Sequence, residues 1–184
     1  MTRHVLLLLL LLCALPACDR GADRIVRVEM PEAAPGPSLL EQEPLQNALR
    51  ELTRATPKPI RAHELVVTRE RVVLQAQHPE ERDSVVQFEY AAGAIKGPVP
   101  VDLRGAGELQ HNLFSLEDVA LDKIPTLAKM AVLRVDPADG EVTRVVVRRA
   151  LPSDERVEMR FFVKSPRRDG HLDTDATGKP LGEG

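Results

Sequence analysis

The sequence predicts an α+β domain of two tandem helix-then-antiparallel-sheet repeats, α-β-β-β twice, carried behind a signal peptide and a flexible tether. Three observations predict it. Apolar residues recur at helical spacing twice, at Leu45, Ala48, Leu49 and Leu52 and again at Ile124, Leu127, Ala128 and Ala131. Each helical stretch is followed by three short β-type runs separated by turns of hairpin length. The two cycles, Leu45 to Gly97 and Ile124 to Leu181, succeed each other at a spacing of about 80 residues, as expected of a duplicated unit that alone would leave a sheet edge open.

The chain starts with a short basic stretch, Met1-Thr2-Arg3-His4, followed by the unbroken apolar run Val5 to Leu12 and by the small residues Ala14 and Ala17. That order is the order of a secretory signal. The apolar run is about a dozen residues, short of the roughly 20 that a membrane-crossing helix needs. Leu15-Pro16-Ala17-Cys18 resembles the lipobox of bacterial lipoproteins, with Leu three before the cysteine and a small residue just before it. Pro16 departs from the usual small or β-branched residue. Cys13 follows Leu12 and fits the pattern less well. The resemblance implies cleavage before Cys18 and acylation of that cysteine, leaving a protein held to an envelope membrane and facing the periplasm. It also implies a sorting role for Asp19, with inner and outer membrane both open. Each buried CH₂ contributes about 0.8 kcal/mol, so two or three chains hold the protein where one holds only marginally.

The expected organisation is signal peptide over 1–17, lipid-anchored linker over 18–37, first repeat over 38–103, and second repeat over 104–184 with a disordered C-terminal tail. The linker is rich in charge and in Pro31, Pro35, Gly36 and Pro37. About 20 such residues span on the order of 25 Å as a coil and about 60 Å if polyproline-extended. Within it, Ile25 to Met30 is apolar enough to read as a short strand that docks on a sheet edge.

In the first repeat, Ser38-Leu39-Leu40-Glu41 has the form of a capping box, and Pro44 fits a helix only in its first turn. The β runs are Glu64 to Val67, Val72 to Gln77 and Val85 to Tyr90, with Gly93 and Gly97 marking the exit toward Val99 and Val101. Pro98-Val99-Pro100-Val101 reads as a strand start or a link between repeats. In the second, Ser115 to Asp118 and Asp122 to Leu133 supply helix starts and a helical face, and Asp136 to Gly140 is a strong turn cluster. Val142 to Arg149, Val157 to Val163 and His171 to Asp175 read as strands, and Ser165 to Gly170 as a hairpin loop. The order of elements resembles the envelope modules of the PepSY type and the duplicated fold of β-lactamase inhibitory protein. The resemblance is one of element order over about 140 residues and implies architecture alone.

Composition narrows the function. The chain is 43% hydrophobic, enough for a core, yet it has four Phe, one Tyr and no Trp. Base-stacking platforms are therefore scarce, and a net charge of -3 gives no polybasic field, so nucleic acid is excluded as the expected partner. Both cysteines lie in the first 18 residues, so the rest of the chain forms neither a disulfide nor a thiolate metal site. The chain lacks G-x-S-x-G, H-E-x-x-H, a Walker-type loop and G-x-G-x-x-G, and Gly105-Ala106-Gly107 is an isolated small-residue turn. His63, His78 and His111 have no carboxylate and nucleophile at readable spacing. His171, Asp173 and Asp175 alternate on one strand face, the spacing a metal uses, although a flat strand rarely completes a coordination shell and a solvated polar face is the plainer reading. Arg148, Arg149, Arg167 and Arg168 would form an anion patch if hairpin pairing brought them to one end of the second sheet, against the plainer reading of an edge blunted by charge. The expectation is a non-enzymatic lipoprotein of the bacterial envelope, without cofactor or metal. It would act as an adaptor, binding a protein through a sheet edge or the groove between repeats. A small-molecule or lipid carrier and an envelope hydrolase are the alternatives.

Overall fold

A computed structural model describes residues 36–103, 108–152 and 154–182. The lipobox with Cys18 and Asp19, the tether with Ile25 to Met30, and Gly105 to Gly107 lie outside the described residues. Residues from Pro35 onward form one compact unit. In chain order its elements are α1 (Gln42–Ala55), β1 (Arg61–Val67), β2 (Arg71–Gln77), β3 (Val85–Ala91), β4 (Ala94–Val101), α2 (Leu109–Asn112), β5 (Phe114–Ser115), α3 (Ile124–Val135), β6 (Glu141–Arg149), β7 (Val157–Lys164) and β8 (Gly170–Asp175). The architecture is α+β. One eight-stranded sheet runs in the order β4-β3-β2-β1-β6-β7-β8, with β5 on β1, and every pairing is antiparallel.

The two halves join through β1 and β6, with Leu65, Val66 and Val67 opposite Val147, Val146 and Val145. This pairing makes the sheet continuous across both halves. Pleating sends alternate side chains to opposite faces. On one face Leu65, Val67, Val72, Leu74, Phe88, Val145, Val147, Met159, Phe161 and Leu172 are buried. They share a single core with Leu45, Ala48 and Leu52 of α1 and with Ile124, Leu127, Ala128 and Ala131 of α3. Helix α1 packs over β2, β3 and β4, and α3 over β6, β7 and β8. Among the described residues neither α1 nor α3 covers the other face.

Several expectations change. The first half has a fourth strand, β4, because Ala92 and Gly93 form a two-residue hairpin loop between Ala91 and Ala94. Both have positive φ, 49° and 78°, the requirement of the hairpin turn whose twist matches the strands. Farther along β4, Gly97 has φ of 113°, and a Cβ there would lie 2.4 Å from the Gln87 carbonyl oxygen, so only glycine fits this bulged approach. Ser38 does not cap α1. Its hydroxyl accepts the Leu40 N–H at 3.3 Å, and burial of Leu39 holds this turn ahead of a helix that begins at Gln42 with Glu41 as N-cap. Pro44 is third in the helix, where no internal N–H donor is needed. Ser115 to Asp118 forms β5 and a turn of 3₁₀ helix, and the regular helix starts only at Ile124, with Pro125 in its first turn. After β8, Asp175 N–H donates to the Lys179 carbonyl at 2.9 Å and Leu181 N–H to the Asp173 carbonyl at 2.8 Å, covering part of the outer edge of β8.

Ala92 is the non-glycine residue at positive φ among those described, and an L side chain is strained there. Ala92→Asn supplies the preferred Asn-Gly pair of this turn and raises stability by about 0.5–1 kcal/mol. The urea midpoint reports it, and an unchanged or lowered midpoint rejects the turn assignment.

Candidate functional site

The face opposite α1 and α3 is organised by cross-strand register into rows. Its central row reads Lys96, Glu89, Val73, Val66, Val146, Arg160 and Asp173, from β4 across to β8. The three valines are half-buried and lie side by side on β2, β1 and β6. One row toward the start of β6, Arg144 faces Phe162, with its guanidinium 4.1 Å from the ring centroid. One row the other way, Arg148 faces Glu158, and Glu64, Gln75 and Gln87 continue on β1, β2 and β3. A shallow depression of about 290 Å³ at this junction is lined by Glu64, Val66, Arg144, Val146, Arg148, Arg160 and Phe162.

The polar groups of the face are held in place. Arg160 donates to both oxygens of Asp173 at 2.8 and 2.9 Å and lies 3.7 Å from Glu158, and hydrogen bonding to Asp173 raises its pKa further. His171 Nε2 is 3.6 Å from Asp173. His63 Nδ1 lies 3.2 Å from Gln75 Oε1, and Gln75 Nε2 donates to Gln87 at 3.4 Å. Bidentate guanidinium geometry fixes direction as well as charge. The result is a patterned surface in which a half-buried apolar centre is bordered by oriented cations, amides and carboxylates. Arg160, Glu158, Asp173 and His171 answer one another on this surface.

The residues singled out from sequence fall elsewhere. His171, Asp173 and Asp175 do share the open face of β8, but Asp173 is held by Arg160, and Asp175 accepts from the Thr177 hydroxyl and from the Thr177 and Lys179 N–H groups, which lower its pKa. Among the described residues no group of three or more His, Cys, Asp or Glu could hold a metal ion. The four arginines do not converge. Arg149 pairs with Val157 at one end of the β6–β7 hairpin, whereas Glu141 pairs with Lys164 at the other, from which the Ser165 to Asp169 loop leaves. Successive loops of an antiparallel meander alternate between ends, so Arg148 and Arg149 are separated from Arg167 and Arg168 by about 25 Å of strand. Arg149 donates to the Leu113 carbonyl at 2.9 Å and to the Glu155 carbonyl, tying β6 to flanking loops. Arg167 clamps Asp136, and Arg168 reaches the Arg134 carbonyl at 3.5 Å. Arg148 alone of the four lines the junction. Sequence reading passed over Val66, Arg144, Val146, Arg160 and Phe162. Their alternation within β6 and β7 was visible, but their alignment across strands depends on register.

The fold and face define a class of small α+β domain: among the described residues, one antiparallel sheet with α1 and α3 on one side and a patterned surface on the other. No family model matches the chain, and no curated protein matches it. Among solved structures it is similar to a Clostridium difficile protein described as a "putative lipoprotein", with a TM-score of 0.53 and 12% identity, over 80% of this chain and 97% of that one. At that identity the likeness is one of fold. No described helix is long and apolar enough to cross a membrane.

Proposed function

We propose that the protein is a lipoprotein of the bacterial envelope, processed before Cys18 and held to a membrane by lipid on that cysteine, whose α+β domain binds a protein partner through the open face of its sheet. The observation that carries the binding role is the row of Val73, Val66 and Val146, bordered by the positioned side chains of Arg144, Arg160 and Phe162. Half-buried apolar side chains ringed by oriented polar groups have the composition of a protein interface. The edges are poorer candidates. Pro98 and Pro100 lack N–H donors on β4, and the segment Lys179 to Leu181 covers part of β8. The carrier reading gains no support, since the space between helices and sheet is filled by fully buried side chains such as Leu45, Leu52, Ile124 and Phe161. Arg160 is engaged with Asp173 and Glu158, which favours recognition over catalysis.

The order of one helix and three antiparallel strands on each side of the β1–β6 pair supports a duplicated origin, with β4 added to the first half. It also supports the architectural resemblance to PepSY modules and β-lactamase inhibitory protein. The anchor rests on Leu15-Pro16-Ala17-Cys18 and the basic and apolar segments before it.

Two measurements in the native host test the proposal separately. Labelled palmitate should enter the wild-type protein and not Cys18→Ser, and equal labelling ends the anchor reading. A photo-crosslinking residue at position 146 should capture a reproducible protein, whereas one at Arg50, exposed on α1, should not. Equal capture from both positions, or none from 146, ends the docking-face reading.

A further inference from the structure

The helix side of the domain carries a second, smaller surface. Large apolar side chains are exposed on one helix among the described residues, α3, where Leu133 is 66% and Met130 40% accessible. They are three apart and therefore adjacent on its outer face. By the helical period Lys129 lies on one side of this pair and Arg134 on the other, and both are exposed. Arg168 joins the cationic side through its contact with the Arg134 carbonyl. The nearby carboxylates of Asp136 and Asp139 share the single guanidinium of Arg167, at 2.6 and 2.9 Å, and Asp169 is a further carboxylate of the β7–β8 loop.

We propose that this outer face of α3 docks on the surface of an anionic bilayer, with Leu133 and Met130 in the headgroup region and the exposed Lys129 and Arg168 on the phosphates. The inference rests on the lipid anchor proposed above. At 12 residues α3 is far too short to span, but an apolar stripe with cationic flanks is the pattern of a helix lying in the interface. Two apolar side chains would hold a free protein poorly. A tether changes this by raising the local concentration of membrane at the domain to the order of millimolar. The chain reaches the domain at the appropriate end. Leu39 N–H donates to the Arg69 carbonyl in the β1–β2 turn at 2.8 Å, and Arg69 lies 3.9 Å from Glu141, the first residue of β6 after the turn that follows α3. The open sheet face lies on the side of the sheet opposite α3, so docking would turn the partner surface away from the membrane.

The test uses the lipidated protein reconstituted on phosphatidylcholine vesicles with or without phosphatidylglycerol. Both native cysteines lie in the first 18 residues, so the folded domain can carry a single introduced thiol. An environment-sensitive fluorophore on Met130→Cys should shift to shorter wavelength on phosphatidylglycerol vesicles, and one on Arg148→Cys should not. Lys129→Gln combined with Leu133→Gln should abolish the shift at 130 while leaving flotation with the vesicles unchanged. Both positions are exposed, so folding is preserved. A protein that floats without a shift at 130, or with equal shifts at 130 and 148, overturns the docking and leaves the anchor standing. Equal shifts at 130 on both vesicle types overturn the requirement for anionic lipid. A protein that does not float overturns the anchor and the docking together.

Discussion

Truncating Phe161 to alanine lowers the unfolding free energy by roughly 3–5 kcal/mol, while the same change at the next residue, Phe162, costs about 1 kcal/mol. Phe161 is fully buried in β7, between Val145 on β6 and Leu172 on β8, and belongs to the core shared with α3. Its removal takes an aromatic side chain from water-free surroundings and leaves a cavity bounded by two strands and a helix, which close-packed neighbours fill only in part. Phe162 points to the other face, where it contributes partial burial and the Arg144 contact. Against a typical stability of about 5–15 kcal/mol, the first variant is close to unfolding and the second is not. Urea unfolding of both variants measures the difference. Equal losses would mean that the two faces of the sheet have been wrongly distinguished.

The second large effect is at the carboxyl end of α3. Asp136 is buried and accepts from Arg167 Nε at 3.0 Å and Nη2 at 2.6 Å, and from the backbone N–H groups of Ala138 and Asp139 at 3.1 and 3.4 Å. It ties the α3–β6 turn to the β7–β8 loop. The Arg167 guanidinium, assisted by those amides and opposed by burial, holds its carboxyl well below the usual carboxylate range. The folded state thus favours the charged form. Its contribution is complete above the unfolded-state pKa near 3.8 and is lost as pH falls below that value toward the depressed folded-state value. Asp136→Asn should therefore lower the melting temperature by several degrees at about pH 7, and the gap to wild type should narrow at about pH 3. A gap that is constant with pH would show that the carboxylate charge does not contribute. Arg167→Gln should reproduce most of the loss, because it removes the same charged partner from a buried acceptor.

Much of the architecture was legible because it depends on local period. Leu45, Ala48 and Leu52 repeat with the helical turn, and all three are buried. The alternation in β2 and in β6 to β8 marked strands close to those observed. Pro44 as a first-turn residue marked the α1 start correctly, whereas the capping box at Ser38 and Glu41 misled, because the core claims Leu39 and the helix begins only at Gln42. Strand β4 was legible only as a strand start or link at Pro98 to Val101, because Gly97, Pro98 and Pro100 are residues that usually interrupt strands, and here they occupy a bulged outer edge.

What the sequence by itself determined is the inventory of elements and their hydrophobic faces, together with the amino-terminal pattern on which the proposed anchor rests. Periodicity over a few neighbouring residues carries that information. Tertiary structure alone decided that β1 pairs with β6, that Val73, Val66 and Val146 form one row, and that Arg148 and Arg149 lie far from Arg167 and Arg168. Register between strands distant in sequence is set by packing both helices against a common core, and a shift of one residue would exchange the faces. The proposed binding face exists only once that register is set.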